Sequence, residues 1–437
     1  MSFFAKYVDR LHNLIDDEFE ARSCKDIDEG ACKVVPGNAF LMTLSLVLSK
    51  VADTLASAKI VLPWLMATTG APTFLISLLV PIRESGSMLP QLWLGAYIRL
   101  KPIRKRYLVI GAILQAFMLA GLVLVAPNLT GMAAGIAIVV LTALFSLARA
   151  ILSIANKDVL GKTIPKQQRG RLSGTAASIA GLLCGLVGVA LMLGWVDQGG
   201  ISYLLIMATV GFTLCGLTYG LIKEFAGATE GGVNAVEHAV KNLSLLKDDK
   251  HFARFVCVRA LMVSSGLAAP YFVLMAHADS DSSLSSLGLL ILVSGAASFV
   301  SGSIWGRLAD RNSKSLMSLT AGLNGIVCLA GAVLASAAWA GMGVEGTYFY
   351  LGLFFVVSVI HEGVRQARKT YIVDMAGGNK RTDYVSVSNT LIGVLLLFVG
   401  VVSGIVAQFS LVAVMVLFAL CSLAALLLSA GLKSVSD

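Results

Sequence analysis

Charged residues are scarce in this chain of 437 residues. Only 14% are Asp, Glu, Lys or Arg, whereas 57% are hydrophobic, and the mean hydropathy is +0.83. A soluble globular domain normally carries about 25% charged residues, because its surface faces water. The composition therefore excludes a water-soluble globular protein and indicates a chain built of membrane-spanning helices.

The motifs of common catalytic and metal sites are also missing. The sequence has no phosphate-binding G-x-x-x-x-G-K-[ST] loop, no nucleophile elbow, no zinc motif and no haem-attachment pair. Its seven cysteines are scattered, and five of them stand singly inside apolar runs, as small buried side chains do. We therefore expect no enzyme activity, no cofactor and no metal; the expected chemistry is the binding and movement of a ligand.

The N-terminal segment, residues 1–39, lacks the short apolar core and cleavage site of a secretory signal peptide. Residues 2–22 instead carry a helical apolar stripe opposite charged residues. This pattern predicts an interfacial amphipathic helix on the cytoplasmic membrane surface. Because the stripe's polar face is net acidic, packing against the rest of the protein is favoured over attraction to anionic lipid.

Apolar runs of about 20 residues, the length that crosses a ~30 Å hydrocarbon core, fill the rest of the chain. Twelve are predicted, at 40–66, 72–98, 105–126, 130–156, 172–195, 200–222, 253–276, 284–306, 316–339, 346–368, 386–408 and 411–432. The polar stretch 223–252 separates a first half, 40–222, from a second half, 253–432, and 433–437 form a tail. The predicted fold class is an all-α membrane protein with twelve transmembrane helices in two six-helix bundles.

Lysine and arginine are absent from every second loop between these runs. The loops without either residue are 67–71, 127–129, 196–199, 277–283, 340–345 and 409–410. Basic loops stay on the cytoplasmic side of a membrane, so both termini are expected in the cytoplasm and the chain in the plasma (inner) membrane. The net charge of +9 reflects these loops, and no nucleic-acid partner is expected.

A short polar stretch joins two apolar runs of the second half. It begins at Gly306 and reads G-R-L-A-D-R-N-S-K. The first half has a counterpart that begins at Gly95 and keeps the glycine and a basic cluster, with Arg99 where the second half has Asp310. Both are predicted to be hairpins between antiparallel helices.

These stretches resemble the cytoplasmic signature of the major facilitator superfamily, G-x-L-a-D-r-x-G-r-k, although Ser313 replaces the second glycine. The resemblance implies a monomeric secondary transporter whose two bundles rock about a central site in the lipid bilayer. It also implies a conformational gate formed by Gly95, Arg99, Gly306, Asp310 and Arg311.

An internal repeat supports two related halves. Arg149 is followed by an aspartate nine residues later and a glycine three residues beyond it, and Arg365 is followed by both at the same offsets. Lys50 and Arg259 also coincide when the first and seventh runs are superposed. Two parallel six-helix repeats would produce this order of matches.

Ionisable residues inside the predicted spans are the candidate functional residues. Each costs roughly 2.5–3.5 kcal/mol at the bilayer centre, so these side chains must pair, reach the interface or line water. The predicted substrate-binding residues are Lys50, Arg83, Arg149, Arg259 and Arg365. The predicted proton-coupling residues are Asp53, Glu84, His361 and Glu362. In proteins similar to the superfamily, spans 1, 4, 7 and 10 line the cavity, and all four carry embedded charge here.

Basic residues outnumber acidic ones six to three in this group when Lys59 is included. In a shared cavity of low dielectric constant, that surplus favours an anionic ligand. The leading hypothesis is therefore proton-coupled transport of a small or amphipathic organic anion. Two alternatives stay open: efflux of amphipathic compounds, and a non-transporting scaffold or sensor in which the embedded charges form static ion pairs.

Overall fold

The computed structural model describes residues 29–195, 200–227, 244–279, 284–339, 346–375 and 380–435. These ranges contain α-helices and connections and no β-strand. The longer helices are α1 (Val35–Leu55), α2 (Val61–Thr68), α3 (Thr73–Met88), α4 (Gln91–Arg99), α5 (Lys105–Asn128), α6 (Gly131–Thr163), α7 (Lys166–Met192), α8 (Gly200–Leu221), α9 (Lys250–Leu261), α10 (Ser264–Asp279), α11 (Leu284–Arg311), α12 (Ser313–Trp339), α13 (Thr347–Met375), α14 (Lys380–Phe409) and α15 (Leu411–Ala430). The predicted amphipathic helix at 2–22 lies outside the described residues.

The all-α membrane architecture is confirmed. Within the described ranges, ten stretches are long and apolar enough to cross a membrane, and the apolar segment Ser285–Ser301 is shorter. Three predicted spans are broken into helix pairs, namely α1 with α2, α3 with α4, and α9 with α10. The count of twelve spans and the bundle boundaries stay predictions.

The polar stretch after Gly306 is mostly helical, so the connection between the two helices is shorter than the predicted hairpin. Helix α11 continues to Arg311 and α12 begins at Ser313, which leaves Asn312 as the connection. The Asn312 side-chain oxygen accepts a hydrogen bond from the backbone N–H of Ser315 at 2.9 Å, as a helix-capping residue does. Arginine and leucine are good helix formers, so α11 extends beyond its apolar part.

Helices from the first and second halves pack along two lines, α7 on α11 and α3 on α14. Glycines allow both contacts. A Cβ atom added at Gly188 would lie 2.8 Å from the carbonyl oxygen of Gly288, and one added at Gly400 would lie 2.2 Å from the ring of Pro81. The two halves therefore approach at backbone distance, where larger side chains do not fit.

At one end of the structure, the space between the α7–α11 and α3–α14 contacts is closed by side chains. This neutral end carries the described loops 67–71, 127–129 and 409–410, which have no lysine or arginine; the opposite end is the basic end. Trp64 and Met66 of α2 and Phe272 and Ala276 of α10 are fully buried there. The Trp64 ring also meets the ring of His277 edge-on, with centroids 4.6 Å apart. These side chains form an apolar plug that separates the interior from the neutral end.

A buried carboxylate organises the basic end of the first half. The Glu224 side chain is 0% exposed, pairs with Lys162 at 3.0 Å, and accepts hydrogen bonds from the backbone N–H groups of Arg104 and Lys105 at 2.8 and 2.6 Å. The Arg104 guanidinium also pairs with Asp158 at 3.1 Å. These bonds tie the connection between α4 and α5 to the ends of α6 and α8.

Helix α9 begins with a cap that links it to α14. The Asp249 carboxylate accepts hydrogen bonds from the backbone N–H groups of His251 and Phe252 at 2.9 and 3.1 Å and from the Tyr384 hydroxyl at 2.8 Å. Burial raises the pKa of Asp249, but the bonds from Phe252, Tyr384 and His251 hold it below its ordinary value. Burial and the bond to Asp249 raise the pKa of Tyr384 to about 12.

Replacing Asp249 with alanine is expected to lower the free energy of unfolding by about 1 kcal/mol, the usual cost of a lost helix cap. Because the folded-state pKa of Asp249 is depressed, this contribution is present above the unfolded pKa of about 3.9 and is lost as pH falls through the folded value. The gap in thermal unfolding temperature between the parent and Asp249→Ala should thus close in acid. Tyr384→Phe keeps both backbone bonds and should cost less; a gap that persists in acid contradicts the assignment.

Candidate functional site

A cavity of about 410 Å³ lies between the two halves, on the basic side of the apolar plug. Its wall is polar and strongly charged. The charged side chains that line it are Asp53, Lys59, Arg83, Glu84, Arg149, Arg259, Arg365 and Arg368. A smaller pocket of about 70 Å³ adjoins it and includes Glu362.

All three helix breaks contribute to the cavity wall. The break between α1 and α2 supplies Ser57 to Lys59, that between α3 and α4 adjoins Met88, and that between α9 and α10 consists of Met262 and Val263. Irregular backbone is tolerated at membrane depth only where it lines water or is buried in protein. The three breaks meet this condition because their residues line the cavity.

The charges of the first half compensate one another. The Asp53 carboxylate pairs with Arg83 and lies 3.0 Å from Nη1 of Arg149, so one acid faces two guanidinium groups. The Arg83 guanidinium also lies over the Phe145 ring, 4.6 Å from its centroid, in a cation–π contact. Asp53 thereby links α1, α3 and α6.

Glu362 and Arg365 form an ion pair within α13, with Oε1 and Nη1 2.8 Å apart. Their side chains are 36% and 52% exposed although they line the cavity and its side pocket. The pair is therefore open to water, where such pairs contribute about 0–1 kcal/mol to stability. An entering anion can compete for Arg365 at low cost.

Arg259 has no acidic partner among the residues that the structure describes. It is only 6% exposed, and its Nη1 and Nη2 donate to Ser388 Oγ at 2.6 Å and to Asn389 Oδ1 at 2.7 Å. Its buried Nε lacks a hydrogen-bond partner within the described ranges. The neutral partners fix the guanidinium in place and leave its positive charge uncompensated.

Arg368 and Lys59 also line the cavity without an acid within 4.0 Å in the described part of the chain. On the acidic side, the Glu84 carboxylate makes neither a hydrogen bond nor an ion pair there. Nδ1 of His361 lies 3.1 Å from Ser265 Oγ. A Cβ at Gly266 would lie 2.8 Å from Cε1 of His361, so the glycine allows the ring to lie against α10.

The structure brings most of the predicted ligand-binding and proton-coupling residues to this cavity. Those that line it are Asp53, Arg83, Glu84, Arg149, Arg259, His361 and Arg365. Glu362 lines the side pocket, whereas Lys50 lines neither space and is exposed. Of the predicted gate, Gly95 lies in the middle of α4 and Arg311 is the last residue of α11; the surroundings of Arg99, Gly306 and Asp310 are outside the described part.

Sequence reasoning missed Arg368 as a cavity residue. It follows Arg365 by three positions and His361 by seven, and this helical spacing puts all three on one face of α13. The predicted span ends at residue 368, which places this arginine at the edge of the apolar run, but α13 continues to Met375. The three-residue spacing is the signal that would have identified it.

The arrangement is suited to holding an anion. Six basic side chains and three acidic ones line the cavity and its side pocket, and Lys59, Arg259 and Arg368 lack an acidic partner in the described ranges. Guanidinium groups bind carboxylate or phosphate through paired hydrogen bonds. Among the described residues, no cluster of His, Cys, Asp or Glu could hold a metal ion.

The sequence model of the Major Facilitator Superfamily matches residues 42–391. No curated protein matches the sequence. Among solved structures, a D-xylose–proton symporter has a TM-score of 0.66 at 13% identity over 91% of this chain and 98% of its own. The nucleoside transporter NupG has a TM-score of 0.66 at 12% identity, over 90% of this chain and 99% of its own. A POT family transporter with a bound thioalcohol-conjugated peptide has a TM-score of 0.64 at 12% identity, over 90% of this chain and 94% of its own. At such identities the likeness concerns the fold alone.

Proposed function

Because the chain belongs to the Major Facilitator Superfamily, we propose that it is a secondary transporter that moves a small or amphipathic organic anion across the membrane by alternating access. The observation that carries this proposal is the uncompensated positive charge of the cavity. Lys59, Arg259 and Arg368 have no acid within 4.0 Å in the part of the chain that the structure describes.

The same charges explain how the anion would couple to movement. Closing the basic end over an empty cavity would bury unpaired cations, and a buried, unpaired charge is strongly unfavourable. A bound carboxylate or phosphate compensates Arg368 and Arg259 and removes that penalty. The loaded cavity can then close at the basic end and open where the plug of Trp64 and Phe272 now seals it.

We propose Glu84 as the principal proton carrier, with His361 as a relay. Glu84 lines the cavity without an ion pair within 4.0 Å in the described ranges, so no such pair has to break before it takes a proton; the basic side chains of the cavity, Lys59 foremost, act on it from farther away. Asp53 is occupied by Arg83 and Arg149 in this conformation. Asp53 and Glu362 would take part only after their ion pairs open.

The proposed topology follows the distribution of basic loops. Both termini lie in the cytoplasm of a cell whose plasma (inner) membrane holds the protein as a monomer, and 40–222 rocks against 253–432. The gate formed by Gly95, Arg99, Gly306, Asp310 and Arg311 would act at the cytoplasmic face. In this topology the cavity described here faces inward.

Uptake measured in proteoliposomes tests the substrate charge. Organic carboxylates and phosphate esters should be transported, whereas cations of similar size should not. Arg368→Gln is expected to reduce anion uptake by about 30-fold, because hydrogen bonds to a charged group are each worth about 1.5–3 kcal/mol. Lys369→Gln removes the same charge from an exposed neighbouring position and should leave uptake unchanged.

The results of this assay separate the alternatives. Transport of amphipathic cations with no transport of anions would establish the efflux hypothesis instead. If neither class moves, aqueous thiol reagents should be tested on single cysteines at positions 149, 259 and 365. Failure of all three to react would indicate a closed interior and a scaffold or sensor.

A further inference from the structure

The side pocket of about 70 Å³ is unusual in its lining. Five serines surround it, together with Lys59, His361 and Glu362, and we call it the serine pocket. The serines are Ser57, Ser265, Ser294, Ser298 and Ser358. Lys59, His361, Ser57 and Ser294 line the main cavity as well, so the two spaces are continuous.

Three of these hydroxyls are unused. Ser294 and Ser298 of α11 and Ser358 of α13 make no side-chain hydrogen bond within the described ranges. A helical serine in a membrane ordinarily satisfies its hydroxyl by donating to the carbonyl four residues earlier. Serines elsewhere in this chain do so, namely Ser45, Ser77, Ser301 and Ser422.

Ser265 and Ser57 complete the polar wall. The Ser265 hydroxyl lies 3.1 Å from Nδ1 of His361, and Ser57 Oγ accepts from the backbone N–H of Lys59 at 3.2 Å. The pocket therefore offers several donors and acceptors at close range. A volume of about 70 Å³ is several times the roughly 10–15 Å³ that a single water needs, so the pocket has room for more than one polar group.

The distance along α13 sets the size of a ligand that uses both spaces. Ser358 precedes Arg365 by seven residues and Arg368 by ten. At 1.5 Å per residue these offsets correspond to roughly 10 and 15 Å along the helix. A ligand with its charge at the arginines and a polar end in the serine pocket would thus span several bonded carbons.

We propose that the serine pocket binds hydroxyl groups of the substrate, and that the substrate is a polyhydroxylated carboxylate or phosphate ester. Its anionic group lies against Arg259 and Arg368, and its hydroxyls exchange hydrogen bonds with Ser294, Ser298 and Ser358. This inference rests on the proposed function, in which the substrate is an anion. It adds that the part of the substrate distant from the anionic group carries hydroxyls.

Uptake of radiolabelled gluconate into proteoliposomes, in competition with unlabelled gluconate, hexanoate and sorbitol, tests the inference. Gluconate carries a carboxylate and hydroxyls, hexanoate has the same charge and chain length without hydroxyls, and sorbitol has hydroxyls without charge. Gluconate should compete at least about 10-fold better than hexanoate, since two hydrogen bonds of about 1 kcal/mol each exceed a tenfold difference. Sorbitol should not compete.

The double variant Ser294→Ala/Ser298→Ala should bring gluconate to within about twofold of hexanoate, because both pocket hydroxyls on α11 are removed. Ser301→Ala is the matched control on the same helix: its hydroxyl bonds to the carbonyl of Ala297, so the preference for gluconate should remain.

Equal competition by gluconate and hexanoate in the parent, or an unchanged preference in the double variant, would overturn the serine-pocket assignment and leave anion transport standing. If the double variant changes proton coupling but keeps the preference for gluconate over hexanoate, the assignment is also overturned, because the pocket would then hold water and not substrate hydroxyls. If no anion is bound or moved at all, the proposed function fails as well, and the two failures are distinguishable.

Discussion

Replacing Glu84 with glutamine is expected to abolish uptake driven by a proton gradient while substrate exchange without a gradient continues. Glutamine keeps the shape of the side chain and cannot take a proton. Exchange needs only the anion-binding arginines and the movement of the two halves, and Glu84 has no ion pair in the described structure whose loss would disturb them. Driven uptake and counterflow are both measured in proteoliposomes that contain the same purified protein.

The Asp53→Asn variant shows whether a loss of driven uptake comes from lost proton coupling or from a less stable protein. It leaves Arg83 and Arg149 without their shared acid. Because these side chains are only partly buried, we expect the free energy of unfolding to fall by about 1–3 kcal/mol, between the costs of breaking an exposed and a buried pair. Glu362→Gln breaks an exposed pair and should cost less than about 1 kcal/mol. A stable Asp53→Asn variant that loses driven uptake, beside a Glu84→Gln variant that keeps it, would transfer the proton-carrying role to Asp53.

The arginines show which parts of the site were predictable from the sequence. A charge in an apolar run must find water or a partner, and on that ground alone Arg83, Arg149, Arg259 and Arg365 were expected in the interior. All four line the cavity. The repeat that matches Arg149 with Arg365 also corresponds to the structure, because both occupy the cavity wall.

Contacts between residues far apart in the chain could not be predicted from the sequence. Asp53 meets Arg83 thirty positions away, and Arg259 donates to Ser388 across 129 positions. Helical spacing reveals only neighbours on one helix, such as Lys50 and Asp53 three residues apart, so it could predict neither of these contacts. Lys50 is exposed and lines neither space.

The serine pocket illustrates a different limit. Serine is common in membrane helices, and its hydroxyl usually returns to its own backbone, so a serine in an apolar run carries no functional signal. Ser298 and Ser301 are three residues apart, yet only Ser301 has its hydroxyl bonded to α11 itself. Rotamer and neighbouring helices decide this difference, and neither is encoded in local periodicity.

The crossing of α7 and α11 can be tested by adding a side chain where their backbones meet. We expect Gly288→Ala to force the two halves apart at the neutral end. The added Cβ would lie 2.6 Å from the carbonyl oxygen of Gly188 and 2.8 Å from the backbone nitrogen of Met192, and backbone atoms cannot rotate away as a side chain can. Conformations open at the neutral end should gain population, and transport should fall.

Gly295→Ala is the matched control, because it lies on the same helix and faces the same neighbour. Its Cβ would lie 3.8 Å from the carbonyl oxygen of Gly181, an ordinary contact, and alanine favours a helix over glycine by about 1 kcal/mol. A cysteine replacing Ala276 in the apolar plug reports opening through its reaction with a membrane-impermeant maleimide. Reactivity should rise with Gly288→Ala and stay low with Gly295→Ala. Thermal unfolding curves should first show that both variants are folded. Equal reactivity of the cysteine in the Gly288→Ala and Gly295→Ala proteins would then mean that the halves do not close on each other at this crossing.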